Sequence, residues 1–371
     1  MHRVSLVIQK YLLLWLVLFS GVAYFWPKTS LQHVWHRLAL TLNELMLERA
    51  GSPLAGDELF DPFVVSKPYI GLMISVTMFF IGCLLTSREV RDVFARWPTI
   101  LAGTGVQYTT MPLLAYACGH LFGLDDAYLI GVIVVGCVPG AMASNVLTLA
   151  ARGNVSYSVG LTTSATILSP LIVPLALKLT LGDTKEIDPF AEGIKLLKQI
   201  VLPVVNGHLL CRFSDNITSF LRSLAPIVAN GTIIWLIAVV VGLNRDRLGA
   251  AFSGEATGSG LMLIALLTIN VLGYLAGNTG ARAMRLQPDM RRAMTLEVGM
   301  QNAGVGTWLV LGLFPDRPEA AIPTAVYTFG CMMTGTVLAQ WWGRQAVERN
   351  SFRSEEAGSG SEADGQKSGT E

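Results

Sequence analysis

Oxygen-bearing side chains stand inside apolar segments of this sequence, where together they could bind a hard cation. Glu297 is the one acid near the middle of such a segment, and an ionised carboxylate inside a membrane must face a cavity or a cation. Gln301 lies one helical turn beyond Glu297, and Asn302 is next to it. A carboxylate with neutral oxygen ligands suits an alkali or alkaline-earth ion and not a transition metal, so we expect sodium. The alternative for the two amides is that they join neighbouring helices.

A row of hydroxyl groups offers further oxygen ligands. Ser158, Thr162 and Thr166 are spaced one helical turn apart, so their hydroxyls share one face of a helix. The alternative is that these hydroxyls bond to carbonyl groups of their own helix. Gln107, near the middle of an earlier apolar segment, has the same two interpretations.

A helix break divides one apolar segment near its middle. Residues 136–150 read GCVPGAMASNVLTLA, in which Pro139-Gly140 removes a backbone donor and permits non-helical dihedral angles. A second half-helix should begin near Ala141, with unpaired N–H groups facing the break and with Ser144 and Asn145 on its first turns.

A second break is expected about 160 residues later. Residues 296–306 read LEVGMQNAGVG, and their glycines would let the helix unwind and expose the carbonyl oxygens of Val298 and Met300. Broken segments at corresponding positions in the two halves of a membrane protein indicate the binding site of a transporter.

The composition indicates a membrane protein. Of 371 residues, 52% are hydrophobic and only 14% are charged, which is too apolar for an ordinary soluble protein. The formal net charge of +1 leaves no basic face, so no nucleic-acid partner is expected. The five cysteines lie in apolar segments without C-x-x-C spacing, which indicates neither a disulfide framework nor a zinc site.

Ten apolar segments approach or exceed the roughly 20 residues that a transmembrane helix needs. They cover residues 6–26, 69–86, 98–122, 127–150, 155–181, 190–211, 223–243, 258–284, 290–313 and 320–342. The breaks fall in the fourth and the ninth segments, which are the fourth of each half. Each half has five spans, and an odd number of spans per half makes the two halves run in opposite directions through the membrane. We therefore predict an all-α polytopic membrane protein, with ten transmembrane helices in two inverted five-helix repeats and with broken, crossed helices in those two segments.

Residues 1–346 should form a single transmembrane unit. Arginines concentrate in alternate connections and in the tail, which predicts a plasma (inner) membrane protein with both termini cytoplasmic. Residues 31–50 are too polar to span and should form a helix along the interface. Residues 347–371 are polar and of low complexity, which predicts a disordered cytoplasmic tail.

Several short motifs together resemble the bile acid:sodium symporter family, as a bacterial-type member. The matching stretches are Cys137-Val138-Pro139-Gly140, Ser144-Asn145, Ser169-Pro170-Leu171-Ile172-Val173-Pro174 and Glu297-Val298-Gly299-Met300-Gln301-Asn302. The resemblance implies a panel domain of the first, second, sixth and seventh helices and a core domain containing the crossed broken helices.

The same resemblance implies two sodium sites that share Glu297. One would use Ser144, Asn145, Ser158 and Thr162 with that carboxylate. The other would use the side chains of Gln107 and Gln301 with the carbonyl groups of Val298 and Met300.

The substrate site departs from the family pattern. Where relatives often have a second glycine and then Thr after Pro-Gly, this chain has Ala141-Met142, so one hydroxyl is missing. Cys331 stands where some relatives place a histidine toward the substrate. Bile acids are therefore not the expected substrate, and a smaller organic anion could place its carboxylate at the half-helix, near the candidate residues Gly140, Ala141, Met142 and Asn302.

The sequence therefore favours a sodium-coupled symporter of a small organic anion that works by alternating access. One alternative keeps the fold and makes Glu297 a proton carrier in an antiporter or efflux protein. Another is a membrane-embedded enzyme with Glu297 as a general base. No Ser-His-Asp or metal-histidine spacing with a reactive geometry occurs, so we do not expect an enzyme.

Overall fold

The structure is a computed structural model that describes residues 12–26, 61–182, 186–212, 215–252 and 258–365. These residues form helices and connections and contain no β-strand. The helices are α1 Leu12–Phe25, α2 Ile70–Leu84, α3 Ser87–Ala95, α4 Trp97–Leu121, α5 Asp126–Cys137, α6 Ala143–Ala150, α7 Val155–Leu181, α8 Pro189–Leu196, α9 Leu202–Leu210, α10 Asp215–Leu243, α11 Arg245–Phe252, α12 Ser259–Ala283, α13 Pro288–Gly299, α14 Ala303–Leu313 and α15 Ile322–Gly365.

All ten predicted segments contain helices. The sixth consists of α8 and α9 joined by a π-helical stretch, Leu197–Val201, just before Pro203. The fourth and ninth are each divided in two, α5 with α6 and α13 with α14. The predicted all-α class is thus confirmed, and both predicted breaks are present.

Five helical stretches among the described residues are long and apolar enough to cross a membrane. They are Pro62–Leu84, Val155–Leu181, Thr218–Leu243, Ser259–Ala283 and Pro318–Gln345. Helices α5 and α14 are apolar but short, because each is one part of a broken segment. These features describe a multi-pass membrane protein, while the arrangement as two inverted repeats stays a prediction.

Side-chain caps fix where several helices begin. Asp125 accepts a hydrogen bond from Tyr128 N at the start of α5, and Asn154 accepts one from Tyr157 N at the start of α7. At α3 the Thr86 hydroxyl and the Glu89 side chain form a reciprocal capping box. Each cap satisfies an N–H group that has no partner inside its helix, so these polar residues define where the helices begin.

The connections between helices group at two ends of the molecule. At one end, Asn154 Nδ2 donates to Asp289 Oδ2 at 2.9 Å and Arg292 Nη1 donates to the carbonyl of Ala151 at 2.9 Å. Ser156 Oγ also donates to Asp92 Oδ2 there, at 2.8 Å. We call this the arginine-rich end.

The connections that alternate along the chain with those of the arginine-rich end lie at the opposite end of the molecule. Arg247 Nη2 is 3.3 Å from Glu319 Oε1, and Arg247 Nη1 is 3.9 Å from Asp125 Oδ2. Asn244 Nδ2 donates to the carbonyl of Pro318, and Lys67 Nζ donates to that of Pro315, both at 3.2 Å. Successive segments therefore run in alternate directions between the two ends.

Two further predictions concern residues outside the ten segments. The proposed interfacial helix over residues 31–50 lies outside the described residues. The last helix, α15, continues to Gly365, through most of the stretch for which composition predicted a disordered tail. The first part of that tail stretch contains Arg, Glu and Ala residues, which favour helix over coil.

Candidate functional site

The two helix breaks meet and complete one another's hydrogen bonds. Ala141 N donates to the carbonyl of Met300 at 2.9 Å, and Asn302 N donates to that of Pro139 at 2.8 Å. Gly140 and Gln301 thereby form an isolated antiparallel bridge. Backbone groups freed by the breaks would be costly to leave unpaired in an apolar interior. The pairing therefore stabilises both breaks together.

Glu297 lies in the last turn of α13 and is 1% exposed. Its Oε2 accepts a hydrogen bond from Ser144 Oγ at 2.5 Å, and its Oε1 accepts one from Thr162 Oγ1 at 2.8 Å. The carboxylate is thus held by α6 on one side and by α7 on the other. Among the described residues four salt bridges are formed, and none includes Glu297.

Acceptor oxygens outnumber donors around Thr162. Its Oγ1 lies 2.8 Å from Glu297 Oε1, 3.1 Å from the carbonyl oxygen of Ser158 and 3.4 Å from Asn145 Oδ1. A hydroxyl carries one proton and can donate it to only one of the three. The remaining lone pairs make this a negative region, which suits a small cation.

The other predicted hydroxyls are placed differently. Ser158 Oγ pairs with Thr148 Oγ1 at 3.2 Å, and its backbone carbonyl, not its hydroxyl, faces Thr162. Thr166 Oγ1 donates to the carbonyl of Thr162 within the same helix. Of the three hydroxyls that share a face of α7, only that of Thr162 contacts the carboxylate, while Thr166 follows the alternative of bonding to its own helix.

Gln107 and Gln301 form the second part of the site. Gln107 Nε2 donates to Gln301 Oε1 at 3.1 Å, and Gln301 Nε2 donates to the carbonyl of Val298 at 2.9 Å. Both side chains are 1% exposed. Gln107 Oε1 is buried and has no hydrogen-bond partner among the described residues. A buried acceptor without a donor is costly unless a cation or water meets it.

Gly140 brings the two parts of the site together. A Cβ atom at this position would lie 2.8 Å from Glu297 Cδ and 3.2 Å from Gln107 Nε2. Only glycine therefore fits here, and the carboxylate of Glu297 and the amide of Gln107 both border the space that a side chain at this position would fill.

The predicted substrate residues border this site. One of them, Met142, lines a small cavity of about 20 Å³ together with Asn145, a predicted sodium ligand, and the cavity has room for about one water molecule. Ile81 of α2 and Val204 of α9 also line this cavity. Asn302 Oδ1 caps α14 by accepting from Val305 N at 3.3 Å, and the Ala141 N–H is bonded to Met300 as described above.

Two residues near the site were not predicted from sequence. Asn270 Nδ2 and Tyr327 Oη both donate to the carbonyl of Gly299, each at 2.8 Å. Asn270 is an amide inside the otherwise apolar middle of α12, and that signal could have drawn attention to it.

Known proteins similar to this chain are sodium-dependent transporters by name. The Sodium Bile acid symporter family matches residues 71–251. The "Uncharacterized sodium-dependent transporter YocS" of Bacillus subtilis (strain 168) is 30% identical over 288 residues, 77% of this chain and 87% of that protein. The "Probable sodium/metabolite cotransporter BASS1, chloroplastic" of Arabidopsis thaliana is 30% identical over 276 residues, 74% of this chain and 67% of that protein. The resemblance seen in the sequence motifs is thus confirmed, and the chain belongs to the sodium bile acid symporter family, a family of transporters.

Proposed function

We propose that this protein is a sodium-coupled symporter of a small organic anion that works by alternating access. The observation that carries the proposal is the Glu297 carboxylate, buried at the meeting point of the two breaks without a basic partner among the described residues. A charge of this kind is costly in a membrane interior unless a cation compensates it. Sodium coupling supplies that cation, and the printed names of the relatives agree with it.

The first proposed sodium site lies between α6, α7 and α13. Its ligands are the Glu297 carboxylate, the hydroxyls of Ser144 and Thr162, and the side-chain oxygen of Asn145, with Ser158 as the remaining predicted ligand. In support, the two hydroxyls already contact the carboxylate and the amide oxygen lies 3.4 Å from one of them. All of these ligands are hard oxygens, as an alkali ion prefers.

The second proposed site lies next to the first and also borders Gly140. Gln107, Gln301 and the carbonyls of Val298 and Met300 are its ligands, with Glu297 shared. The unpartnered Gln107 Oε1 supports this site, because a cation there would satisfy a buried acceptor. Since one carboxylate serves both ions, the two affinities should be linked.

The proposed substrate position is the start of α6, where Met142 and Asn145 face the small cavity. N–H groups at the start of this half-helix favour a carboxylate. The cavity holds about one water, so an organic anion can enter only if α2 and α9 move away from α6 and α7. That movement is the proposed step of alternating access, between a panel domain of the first, second, sixth and seventh segments and a core of the rest.

The proposed topology has ten spans in two inverted repeats in the plasma membrane, with both termini cytoplasmic. The equivalent positions of the two breaks and the alternation of the connections between two ends support it. The arginine-rich end is assigned to the cytoplasm, following the general bias of Lys and Arg in membrane proteins.

A thermal-shift screen of the purified protein tests the proposal. Small carboxylates would be added with sodium, and again with choline at equal ionic strength and fixed pH, because a ligand that binds only the folded state raises the melting temperature. We expect sodium alone to stabilise the protein, and one or more carboxylates to add stability only when sodium is present. Stabilisation that depends on pH and does not depend on sodium would instead favour the proton-coupled alternative. Conversion of a carboxylate to a product without an ion gradient would favour an enzyme.

A further inference from the structure

The carbonyl of Gly299 is held by two buried side chains from two other helices. Gly299 is the last residue of α13. Asn270 Nδ2 of α12 and Tyr327 Oη of α15 each donate to its carbonyl oxygen at 2.8 Å. Asn270 and Tyr327 are 2% and 1% exposed, so water does not compete for these bonds. The end of α13 is therefore tied to both neighbouring helices.

The orientation of the Asn270 amide is itself fixed. The carbonyl oxygen of Gly299 can only accept a hydrogen bond, so the amide nitrogen must be the atom that faces it, and Asn270 Oδ1 then lies 2.7 Å from Thr334 Oγ1. Tyr274 Oη lies 3.1 Å from Thr334 Oγ1 and donates to the carbonyl of Cys331 at 3.3 Å. This cluster belongs to α12 and α15 and contains none of the proposed sodium ligands.

The position of the Gly299 carbonyl affects the residues that follow it. Met300 has extended dihedral angles, φ −116° and ψ 107°, and in extended backbone successive carbonyls point to opposite sides. With the Gly299 oxygen held toward α12 and α15, the Met300 oxygen points to the other side, where Ala141 N donates to it. The two donors on Gly299 thus orient the peptide planes between Glu297 and Gln301.

We propose that Asn270 and Tyr327 are positioning residues for cation binding, which hold the break in the ninth segment in the geometry that its ligands require. They act through the Gly299 carbonyl and contact no ion. The inference rests on the proposed sodium coupling. Loss of either donor should let the unwound stretch relax and weaken sodium binding, although every ligand is still present.

The test compares two Tyr→Phe variants from the same cluster. Tyr327→Phe removes a donor from Gly299, while Tyr274→Phe removes a buried hydroxyl that bonds Thr334 and Cys331 and not Gly299. The probe is sodium alone, titrated against choline, and the readout is the sodium dissociation constant obtained from the dependence of the melting temperature on sodium concentration. We expect this dissociation constant to rise about five- to tenfold in Tyr327→Phe, from the worth of one neutral hydrogen bond, and less than twofold in Tyr274→Phe.

A second variant covers the case in which Tyr327→Phe folds poorly. Asn270→Leu removes the other donor to Gly299, and we expect its sodium dissociation constant to rise as well. Equal sodium dissociation constants in Tyr327→Phe, Asn270→Leu, Tyr274→Phe and the unmodified protein would overturn the inference, even if all three variants are destabilised without sodium. If the unmodified protein itself does not respond to sodium, the proposed function fails, and the inference fails with it.

Discussion

Replacing Glu297 by Gln should abolish sodium binding and leave the fold intact. The substitution keeps the size of the side chain and removes the only full negative charge that both proposed sites share. The neighbouring hydroxyls of Ser144 and Thr162, at 2.5 and 2.8 Å, can rotate to accept as well as donate hydrogen bonds. The uncharged amide can therefore be accommodated without new buried unpaired groups.

The size of the effect follows from the position of the carboxylate. An ion bound by these hydroxyls would lie within about 4 Å of the Glu297 oxygens, where a unit charge contributes about 4 kcal/mol at an effective dielectric constant of 20. Because 1.4 kcal/mol is a factor of ten, sodium affinity should fall about a thousandfold. Without sodium the variant should be at least as stable as the unmodified protein, since a buried charge has been removed.

Sodium titrations of the melting temperature, with choline replacing sodium, would measure this change. Glu192→Gln is a matched control, because Glu192 is also largely buried, at 9% exposed, but pairs with Lys195 on α8 at 2.6 Å. We expect the control to respond to sodium like the unmodified protein and Glu297→Gln to show no response. A monodisperse Glu297→Gln protein with an unchanged sodium response would refute the role of this carboxylate.

Three further predictions concern the site and the topology. Thr162→Val removes one hydroxyl ligand and should weaken sodium binding about 10- to 100-fold, the worth of a hydrogen bond to a charged group; an unchanged sodium titration would contradict this. Gly140→Ala places a methyl group against the buried carboxylate, and this overpacking should lower the free energy of unfolding by about 1–3 kcal/mol. Gly105→Ala is the control, because a Cβ atom there would have no atom within 4 Å. Equal stability of the two variants would contradict the packing argument. Arg285→Cys should react with an impermeant thiol reagent from the cytoplasmic side and Glu319→Cys from the other; the reverse pattern would invert the proposed topology.

Parts of the site that depend on local sequence could be predicted. Pro139-Gly140 removes a backbone donor and permits non-helical dihedral angles, so local sequence favours the first break. Glu297 stands out because a carboxylate in an apolar segment needs a compensating partner. Helical spacing also draws attention to Thr162, whose hydroxyl donates to Glu297 Oε1 at 2.8 Å.

The parts that depend on packing could not be predicted. Spacing puts Ser158 on the same face as Thr162, but the neighbouring α6 offers Thr148, and the Ser158 hydroxyl turns to that partner. The bond from Asn270 to Gly299 joins two helices whose relative placement a single sequence does not determine. Composition likewise did not predict that α15 continues to Gly365.

The pairing of the two breaks has an evolutionary consequence. A substitution at Pro139 that restored a continuous fourth helix would draw the Ala141 N–H and the Pro139 carbonyl into bonds of that helix. The Met300 carbonyl and the Asn302 N–H, which now bond to these groups, would each lose their partner, at a cost of about 1–3 kcal/mol for a group left unpaired away from water. Descendants of this gene should therefore keep both interruptions or lose both, and changes around residue 139 should be inherited together with changes around residues 300–302.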